Sequence, residues 1–486
     1  MSERRFIFRL HNIKRQLKTP MPERKYTYYD YTISLCPTCL RRVEAKIIFE
    51  DEKVFMLKRC PEHGRQKVLI ATDIEYYKNL RNYNKPSEYP LRFNTKTHFG
   101  CPYDCGLCTD HEQHSCLSLI EVTDRCNLSC PTCYACSSPT HGRHRTLAEI
   151  EKMLDILVAN EGEPDVVQIS GGEPTVHPDF FAILDLAKAR PIRHLMLNTN
   201  GIRIAKDLSF TQRLATYMPD FEVYLQFDSF KSSALMTLRG EDLLATRMKA
   251  LEHLNQCNLS TTLVVTLQKG LNDDEIGKII DFALQQPCVR GITFQPTQVA
   301  GRLENFNPET DRLTPTEVRS AILEQSDVFA PNDLLPVPCN PDALTMAYAL
   351  KIDGQVHPLT RYLDPDVLLN NSRNTIVYEQ DEGLQEQVLK VFSTANSVDA
   401  IEGELHDLLC CLPAVKAPGL GYNNLFRIII MNFMDAYDFD VRAIKKSCVH
   451  IVHPDGRIIP FETMNLFYRS AEQEAYMKEK LVDASL

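Results

Sequence analysis

The sequence predicts an α/β protein: a partial (β/α)6 barrel that follows a small N-terminal metal-binding β-rich module and precedes a C-terminal α+β segment. Between residues 117 and 325, short apolar runs alternate with helical stretches, as they do when helices join parallel strands. Upstream, cysteines come in closely spaced groups, which is typical of small metal-binding modules. The predicted segments are residues 1–95, 96–116, 117–325 and 326–486.

Composition excludes several classes of protein. The 486 residues carry a net charge of -10, which argues against a general nucleic-acid-binding surface. The 17 cysteines accompany neither a signal peptide nor an apolar run of the roughly 20 residues that span a bilayer. We therefore expect a cytoplasmic protein whose cysteines bind metals rather than form disulfides.

The N-terminal segment Met1–Lys18 has an amphipathic helical pattern. Its apolar residues recur at helical spacing, and basic residues cover the other faces. One interpretation is a helix that packs on its own domain with a solvated charged face. The other is a helix that lies on the inner face of an anionic membrane as a peripheral contact.

A first set of metal ligands is predicted in the N-terminal module. Cys36-Pro-Thr-Cys39 and Cys60-Pro-Glu-His63 are separated by alternating apolar residues in Val43–Phe55, which predicts a hairpin between two metal-binding turns. Three thiolates and one imidazole suit a tetrahedral site for zinc or for a rubredoxin-like iron. The alternative is that His63 is a surface residue.

The next group of cysteines is denser. Four thiols within sixteen positions can close a complete [4Fe-4S] site, and a four-thiolate zinc site is the alternative. His111 and His114 lie between the last two cysteines, where loop solvation explains them as well as metal ligation does. The four predicted ligands are Cys101, Cys105, Cys108 and Cys116.

A third group follows the first barrel strand, predicted at Leu117–Val122. Cys126, Cys130 and Cys133 can hold a cubic iron-sulfur cluster that leaves one of its four irons open to a small chelating molecule. The loop falls at the C-terminal end of the strand, where barrel enzymes place their chemistry. A closed zinc site with Cys136 as fourth ligand is the alternative.

Five further strands and four helices complete the predicted barrel. Each helix lies between two apolar strand-like runs, so the strands are expected to be parallel. The predicted strands are Val166–Ile169, His194–Leu197, Glu222–Phe227, Thr262–Val265 and Gly291–Phe294. The predicted helices are Leu147–Ala159, Asp179–Ala189, Leu243–Asn255 and Asp273–Gln286.

Polar residues at the strand ends are candidates for binding a cofactor. After the second strand, Gly171 and Gly172 would let the backbone approach a ligand, and Glu173 can bind an ammonium group. The ends of later strands supply side chains for a ribose, a carboxylate or the substrate, namely Asn198, Asn200, Gln226, Asp228 and Gln295.

The segment from about Ser326 is predicted to be a separate domain. Its cysteines are too dispersed for a local motif, and buried unligated thiols are as good an explanation as metal ligation. The apolar run Leu425–Met434 predicts a buried helix, with an apolar wall for a long hydrocarbon substrate as the alternative.

Taken together, these motifs resemble the radical S-adenosylmethionine (SAM) superfamily, whose loop has the spacing of Cys126, Cys130 and Cys133 and whose second strand ends in Gly-Gly-Glu-Pro. Cys-Pro-x-Cys, Cys-Pro-x-His-Gly and Cys-Pro-Tyr-Asp-Cys-Gly-Leu-Cys are similar to the family of the archaeal tetraether lipid synthase, some members of which are linked to C-methylation of the methanopterin ring. The resemblance implies that Glu173 binds the amino group of SAM. It also implies a second auxiliary cluster in the C-terminal segment, with ligands among Cys339, Cys410, Cys411 and Cys448.

The resemblance implies a radical enzyme that joins carbon atoms of lipid hydrocarbon chains after hydrogen abstraction. The alternative within the family is C-methylation of a pterin-like or other small substrate. A non-catalytic iron-sulfur electron carrier is the alternative of another class. The implied partners are SAM, an apolar substrate and an electron donor such as ferredoxin or flavodoxin.

Overall fold

The computed structural model describes residues 24–86, 88–352, 355–361 and 424–484. The predicted N-terminal helix Met1–Lys18 and the candidate ligands Cys410 and Cys411 lie outside the described residues. Within these ranges, none of the helices combines the length and the apolar character needed to span a membrane.

The N-terminal module is a four-stranded antiparallel sheet in which each strand pairs with the next. Between β2 and β3, Asp51 and Glu52 form a two-residue turn with positive φ at both positions, which suits the twist of a hairpin. This confirms the predicted hairpin. The strands are β1 (Thr27–Leu35), β2 (Arg42–Glu50), β3 (Lys53–Cys60) and β4 (Gly64–Ala71), and helix α1 (Ile74–Asn79) follows.

A buried lysine forms hydrogen bonds between this module and the C-terminal part of the chain. Lys58 is 3% exposed, and its ammonium donates to the carbonyl oxygens of Leu35, Ala436 and Tyr437, each at 2.7 Å. Burial lowers the pKa of Lys58 to about 8. The three carbonyl groups replace the water that the ammonium loses, so the module is positioned by specific hydrogen bonds.

The barrel follows the predicted alternation of strands and helices. Its six main strands are parallel and lie in the order β5, β7, β8, β9, β10, β11. The strands are β5 (Leu117–Glu121), the short β6 (Thr132–Cys133), β7 (Val166–Ser170), β8 (His194–Thr199), β9 (Phe221–Gln226), β10 (Thr261–Leu267) and β11 (Val289–Pro296). The helices are α2 (Leu147–Glu161), α3 (Phe180–Lys188), α4 (Ile202–Lys206), α5 (Leu208–Ala215), α6 (Ser232–Arg239), α7 (Leu244–Gln256) and α8 (Ile276–Gln285).

The C-terminal strands extend the barrel sheet at both edges. β16 pairs in parallel with β11, and β17 pairs in parallel with β5. The described strands from residue 326 onward therefore belong to the same sheet as the barrel, whereas the sequence predicted a separate domain. The strands are β12 (Arg302–Leu303), β13 (Leu335–Pro336), β14 (Leu344–Ile352), β15 (Gln355–Pro358), β16 (Leu425–Met431), β17 (Val449–Val452) and β18 (Ile458–Pro460). The helices are α9 (Pro315–Gln325), α10 (Val441–Ile444), α11 (Phe461–Thr463) and α12 (Ala471–Ala484), with a π-helical turn at Met464–Tyr468.

The helix predicted at Leu425–Met434 is wrong, because this run contains strand β16. All seven residues of the strand are buried, since β11 and β14 flank it and the barrel packs on its faces. A strand buried on both faces has no polar alternation, so a short apolar run does not reveal whether it is helical or extended. The consecutive β-branched residues Ile428, Ile429 and Ile430 favour the strand.

Candidate active site

Cys126, Cys130 and Cys133 lie in the loop after β5, at the C-terminal end of the barrel. The loop is held to the rest of the protein by Arg302, whose guanidinium donates to the carbonyl oxygens of Cys130 at 2.6 Å and Ser137 at 2.8 Å. The three cysteines line one cavity together with Gly171, Gly172 and Glu173. The structure therefore brings the predicted cluster ligands next to the predicted SAM-binding residues.

The two glycines place β7 directly against the cysteine loop. A Cβ atom on Gly172 would lie 2.2 Å from the carbonyl oxygen of Arg125, and one on Gly171 would lie 2.3 Å from that of Thr123. Gly172 N–H donates to Thr123 O at 2.7 Å, and Glu173 N–H donates to Arg125 O at 2.9 Å. The close approach that requires glycine is thus to the protein's own backbone, whereas the sequence predicted an approach to a ligand.

Glu173 is held in one position by four hydrogen bonds. It is 1% exposed. One carboxylate oxygen accepts from the hydroxyls of Thr175 and Thr199 and from Thr175 N–H, at 2.6, 2.8 and 3.1 Å. The other accepts from Asn200 N–H at 2.8 Å. Burial raises the pKa of Glu173, and the hydrogen bonds oppose this by favouring the charged form. A fixed carboxylate at the cavity wall is suited to binding an ammonium group.

Asp228, which the sequence suggested as a cofactor-binding residue, has its carboxylate engaged by two arginines. Its fully buried carboxylate accepts two hydrogen bonds from Arg239, at 2.7 and 2.8 Å, and forms an ion pair with Arg247 at 3.0 Å. Burial alone would raise the pKa of Asp228, but the two guanidinium groups outweigh it and hold the pKa well below its usual value. Asp228 therefore positions two arginines that the sequence analysis missed, and both line the cysteine cavity.

The remaining strand-end candidates divide between two neighbouring cavities. Asn198 and Gln226 line both, Asn200 lines the cysteine cavity, and Gln295 lines a second cavity of about 120 Å³ inside the barrel. We call this second space the barrel cavity. Its wall carries several carboxamides and aromatic rings, namely Gln168, Asn198, Gln226, Gln295, Gln298, Tyr134, Tyr224, Phe433 and Phe461.

The N-terminal module brings its four predicted metal ligands together. One ligand atom from each of Cys36, Cys39, Cys60 and His63 lies within 4.8 Å of all the others. Three sulfurs and one ring nitrogen at this separation fit a tetrahedral ion. The hairpin formed by β2 and β3 explains this arrangement, because it returns the chain to the end of the sheet where Cys36 and Cys39 lie and so places Cys60 beside them.

Cys116 lies in a different group from the one predicted. Its sulfur is within 4.8 Å of those of Cys339 and Cys448, and the last two are 3.4 Å apart. The cause is the pairing of β17 with β5, which places Leu117 opposite Val449 and so makes Cys116 and Cys448 neighbours. No local motif in the sequence indicates this long-range pairing.

Cys101, Cys105 and Cys108 lie in the loop that precedes β5, but they are not among the groups of described residues whose ligand atoms all lie within 4.8 Å of one another. The Thr463 hydroxyl donates to the Cys105 sulfur at 3.0 Å, so the C-terminal segment contacts this group as well. Whether Cys101, Cys105 and Cys108 bind a cluster stays a prediction.

Of the two histidines near this loop, His111 is buried and His114 is partly buried. The His111 ring nitrogen lies 2.9 Å from Ser447 O, and burial lowers the pKa of His111 to about 4. The His114 ring contacts the Cys116 sulfur at 3.6 Å and the Glu161 carboxylate at 3.1 Å. Both side chains are therefore part of the packing around the cysteines, where the sequence left loop solvation open.

Comparison with known proteins identifies the family. Residues 120–283 match the model of the radical SAM superfamily, and residues 28–72 match that of the HMPTM N-terminal zinc ribbon domain. The chain is 32% identical over 483 residues to 7,8-dihydro-6-hydroxymethylpterin dimethyltransferase of Methanocaldococcus jannaschii, which spans 92% of this chain and 95% of the relative. The chain belongs to the radical SAM superfamily.

Other radical SAM proteins match over shorter stretches. Mycofactocin maturase MftC of Mycolicibacterium smegmatis is 25% identical over 36% of this chain and 43% of its own length. The crystal structure of Streptococcus suis SuiB bound to S-adenosylmethionine has a TM-score of 0.36 at 17% identity, with 43% of this chain and 47% of that one covered.

The cysteine cavity fits the cofactors of a radical SAM enzyme, a [4Fe-4S] cluster and SAM. Three thiols on one loop leave an iron of the cluster open, and Glu173 faces the same cavity. Across the described residues, Nε and Nη2 of buried Arg247 have no hydrogen-bond partner, so this lining residue retains donors for a bound anionic group. No pattern in the sequence marks Arg239 or Arg247, because Asp228 joins them only in the folded protein.

Proposed function

We propose that this radical SAM enzyme is a C-methyltransferase that acts on a pterin-like small substrate. The observation that carries the proposal is the likeness, along 95% of its length, to a protein named 7,8-dihydro-6-hydroxymethylpterin dimethyltransferase. This likeness favours C-methylation of a pterin-like substrate over the coupling of lipid chains. The N-terminal match to a zinc ribbon supports zinc in the site of Cys36, Cys39, Cys60 and His63.

The chemistry of the barrel cavity supports a small polar substrate. Five carboxamides reach its wall, and Tyr134, Tyr224, Phe433 and Phe461 supply flat apolar surfaces. A hydrocarbon chain would strip water from those carboxamides without replacing its hydrogen bonds, at a cost of about 1–3 kcal/mol for each unpaired group. A pterin ring has donors and acceptors on its edge and two aromatic faces, so it suits both parts of the wall.

The cysteine cavity would hold SAM by its charged groups. Glu173 is placed to accept hydrogen bonds from the amino group, and Arg239 and Arg247 offer donors to the carboxylate. When bound and reduced, the cluster supplies the electron that cleaves SAM into methionine and a 5'-deoxyadenosyl radical. Asn198, Gln226 and Arg239 line both cavities, so these residues would orient SAM and substrate toward each other.

Two further cysteine groups would hold auxiliary clusters. Cys116, Cys339 and Cys448, whose sulfurs lie within 4.8 Å of one another, form one group, and the other is the predicted set Cys101, Cys105 and Cys108 on the loop before β5. Cys105, Cys116, Cys339 and Cys448 are buried in one apolar core, which would limit the access of water to a cluster there. A one-electron donor such as a ferredoxin or flavodoxin is the partner that this chemistry needs.

The proposal is tested by turnover under anaerobic conditions. The reconstituted enzyme is given SAM, a reductant and 7,8-dihydro-6-hydroxymethylpterin, and the products are analysed by mass spectrometry. We expect 5'-deoxyadenosine and a pterin in which a methyl group replaces a hydrogen, so that its composition has gained CH2. S-adenosylhomocysteine among the products would identify a second SAM as the methyl donor.

The Glu173→Gln variant is the matched control, because it retains the size of the side chain and removes its charge. We expect it to lose both products at low SAM concentration. The proposal is refuted if the wild-type enzyme cleaves SAM but leaves the pterin unmodified.

A further inference from the structure

We propose that the Gln168 carboxamide binds the hydrogen-bonding edge of the substrate heterocycle and thereby determines which heterocycle the enzyme accepts. This inference rests on the proposed pterin-like substrate. Gln168 lies in the middle of β7, is 4% exposed, and lines the barrel cavity. No motif in the sequence singles it out.

Gln168 belongs to the substrate side of the site. The cavity that contains Cys126, Cys130, Cys133 and Glu173 does not include Gln168 in its lining. SAM would occupy the cysteine cavity, where the cluster ligands and Glu173 are. A side chain that lines the barrel cavity alone is therefore placed to contact the other reactant.

The other carboxamides of the barrel cavity are already engaged with the protein. Each of the four donates a hydrogen bond to a neighbouring side chain or carbonyl group, at 2.6 to 3.3 Å. These are Asn198 to Ser170 Oγ, Gln226 to Asp228 Oδ1, Gln295 to Tyr224 Oη and Gln298 to Met434 O. Across the described residues, the Gln168 side chain makes no such bond.

The surroundings of Gln168 explain why its amide is left for a ligand. Its partners in the sheet register are Leu119 on β5 and Met196 on β8, and neither side chain has an N–H or O–H group. Because Gln168 lines the barrel cavity, its carboxamide can form hydrogen bonds with a molecule bound there. The amide offers one donor and one acceptor side by side. A lactam, or an amino group next to a ring nitrogen, presents the complementary pair, and a pterin edge contains both.

The test compares two heterocycles that differ only at this edge. The dissociation constants of 6-hydroxymethylpterin and 6-hydroxymethylpteridine, which lacks the 2-amino and 4-oxo groups and so has no N–H donor on this edge, are measured by fluorescence with the SAM-loaded holoenzyme. For the wild type we expect tighter binding of the pterin. Gln168→Leu should weaken pterin binding by about 10- to 100-fold, as expected for the loss of two hydrogen bonds, and should abolish the preference.

Two further variants separate recognition from folding. Met196→Leu alters the neighbouring position without removing a hydrogen-bonding group, and it should retain the wild-type preference. Gln168→Met has nearly the size of glutamine but carries neither the amide N–H donor nor the amide oxygen, so it should also lose the preference even if Gln168→Leu does not fold. Formation of 5'-deoxyadenosine without substrate should be unchanged in the folded variants.

Failure of the inference about Gln168 and failure of the proposed function would give different results. If Gln168→Leu or Gln168→Met retains the wild-type preference while the wild type methylates the pterin, the inference is overturned and the proposed function stands. An increased Michaelis constant for SAM with unchanged pterin binding would also overturn it, because Gln168 would then serve the SAM site. If the wild type neither binds nor methylates a pterin, the proposed function itself fails.

Discussion

Replacement of Asp228 by asparagine should destabilise the protein far more than removal of an exposed carboxylate. The Asp228 carboxylate is fully buried and accepts hydrogen bonds from Arg239 at 2.7 and 2.8 Å, from Gln226 at 2.6 Å and from Thr266 N–H at 3.1 Å. Arg247 lies 3.0 Å away. Asparagine has no charge and one acceptor oxygen, so the two guanidinium groups would be left with uncompensated charge.

The expected loss follows from this geometry. Breaking a buried ion pair by removing one partner costs about 3–5 kcal/mol, because a buried charge is left without compensation. Asp274→Asn is the matched control, since Asp274 forms an ion pair with Lys231 at the surface. Exposed pairs of this kind contribute about 0–1 kcal/mol.

The assay is urea unfolding of both variants at equal metal content, followed by circular dichroism. Equal decreases in the free energy of unfolding for Asp228→Asn and Asp274→Asn would refute a special stabilising role of the buried Asp228 carboxylate. The pKa of Asp228 lies below the value of 3.8 expected for the unfolded chain, so its stabilising effect is lost only as the pH falls through the folded-state pKa. The difference between the variants should therefore be constant from pH 7 to about pH 5.

Three further predictions concern other parts of the structure. Cys116→Ser should reduce the iron content of the reconstituted protein and alter its electron paramagnetic resonance spectrum. Cys136→Ser changes an exposed thiol and should affect neither. Equal iron content in both variants would contradict the grouping of Cys116 with Cys339 and Cys448. Gly172→Ala should weaken SAM binding by about 10-fold or more. The added Cβ would lie 2.2 Å from a backbone carbonyl oxygen and would separate β7 from the cysteine loop. A wild-type affinity for SAM, measured by calorimetry, would contradict this prediction. Burial raises the pKa of Glu462 from 4.5 to about 7, so between these values Glu462 keeps its proton in the folded protein and releases it in the unfolded chain. The free energy of unfolding should therefore decrease as the pH rises from about 4.5 to about 7. Glu462→Gln should flatten this part of the pH profile, and an unchanged slope would exclude Glu462 as its source.

The barrel could be predicted from the sequence because its signals are local. Each strand from Leu117 to Phe294 is a short apolar run, and four of the intervening helices were predicted, whereas the short helices α4, α5 and α6 were not. The loop of Cys126, Cys130 and Cys133 and the Gly-Gly-Glu sequence follow strands directly, so their meeting at one end of the barrel follows from parallel order.

The features that the sequence did not reveal depend on long-range pairing. β16 and β17 join opposite edges of the barrel sheet although more than a hundred residues separate each from its barrel partner. The grouping of Cys116 with Cys448 is a consequence of this pairing. Asp228 shows a second limit, because a carboxylate at a strand end can bind a ligand or position arginines, and only the folded structure places Arg239 and Arg247 around it.

The most direct test of the proposed function is a competition between its two candidate substrates. The reconstituted enzyme is given SAM, a reductant, 7,8-dihydro-6-hydroxymethylpterin and vesicles of saturated lipids in one reaction, and both product classes are measured by mass spectrometry. The proposed function predicts a methylated pterin, 5'-deoxyadenosine and unchanged lipids. Coupled lipid chains with two hydrogens fewer than the separate chains, together with unmodified pterin, would contradict it.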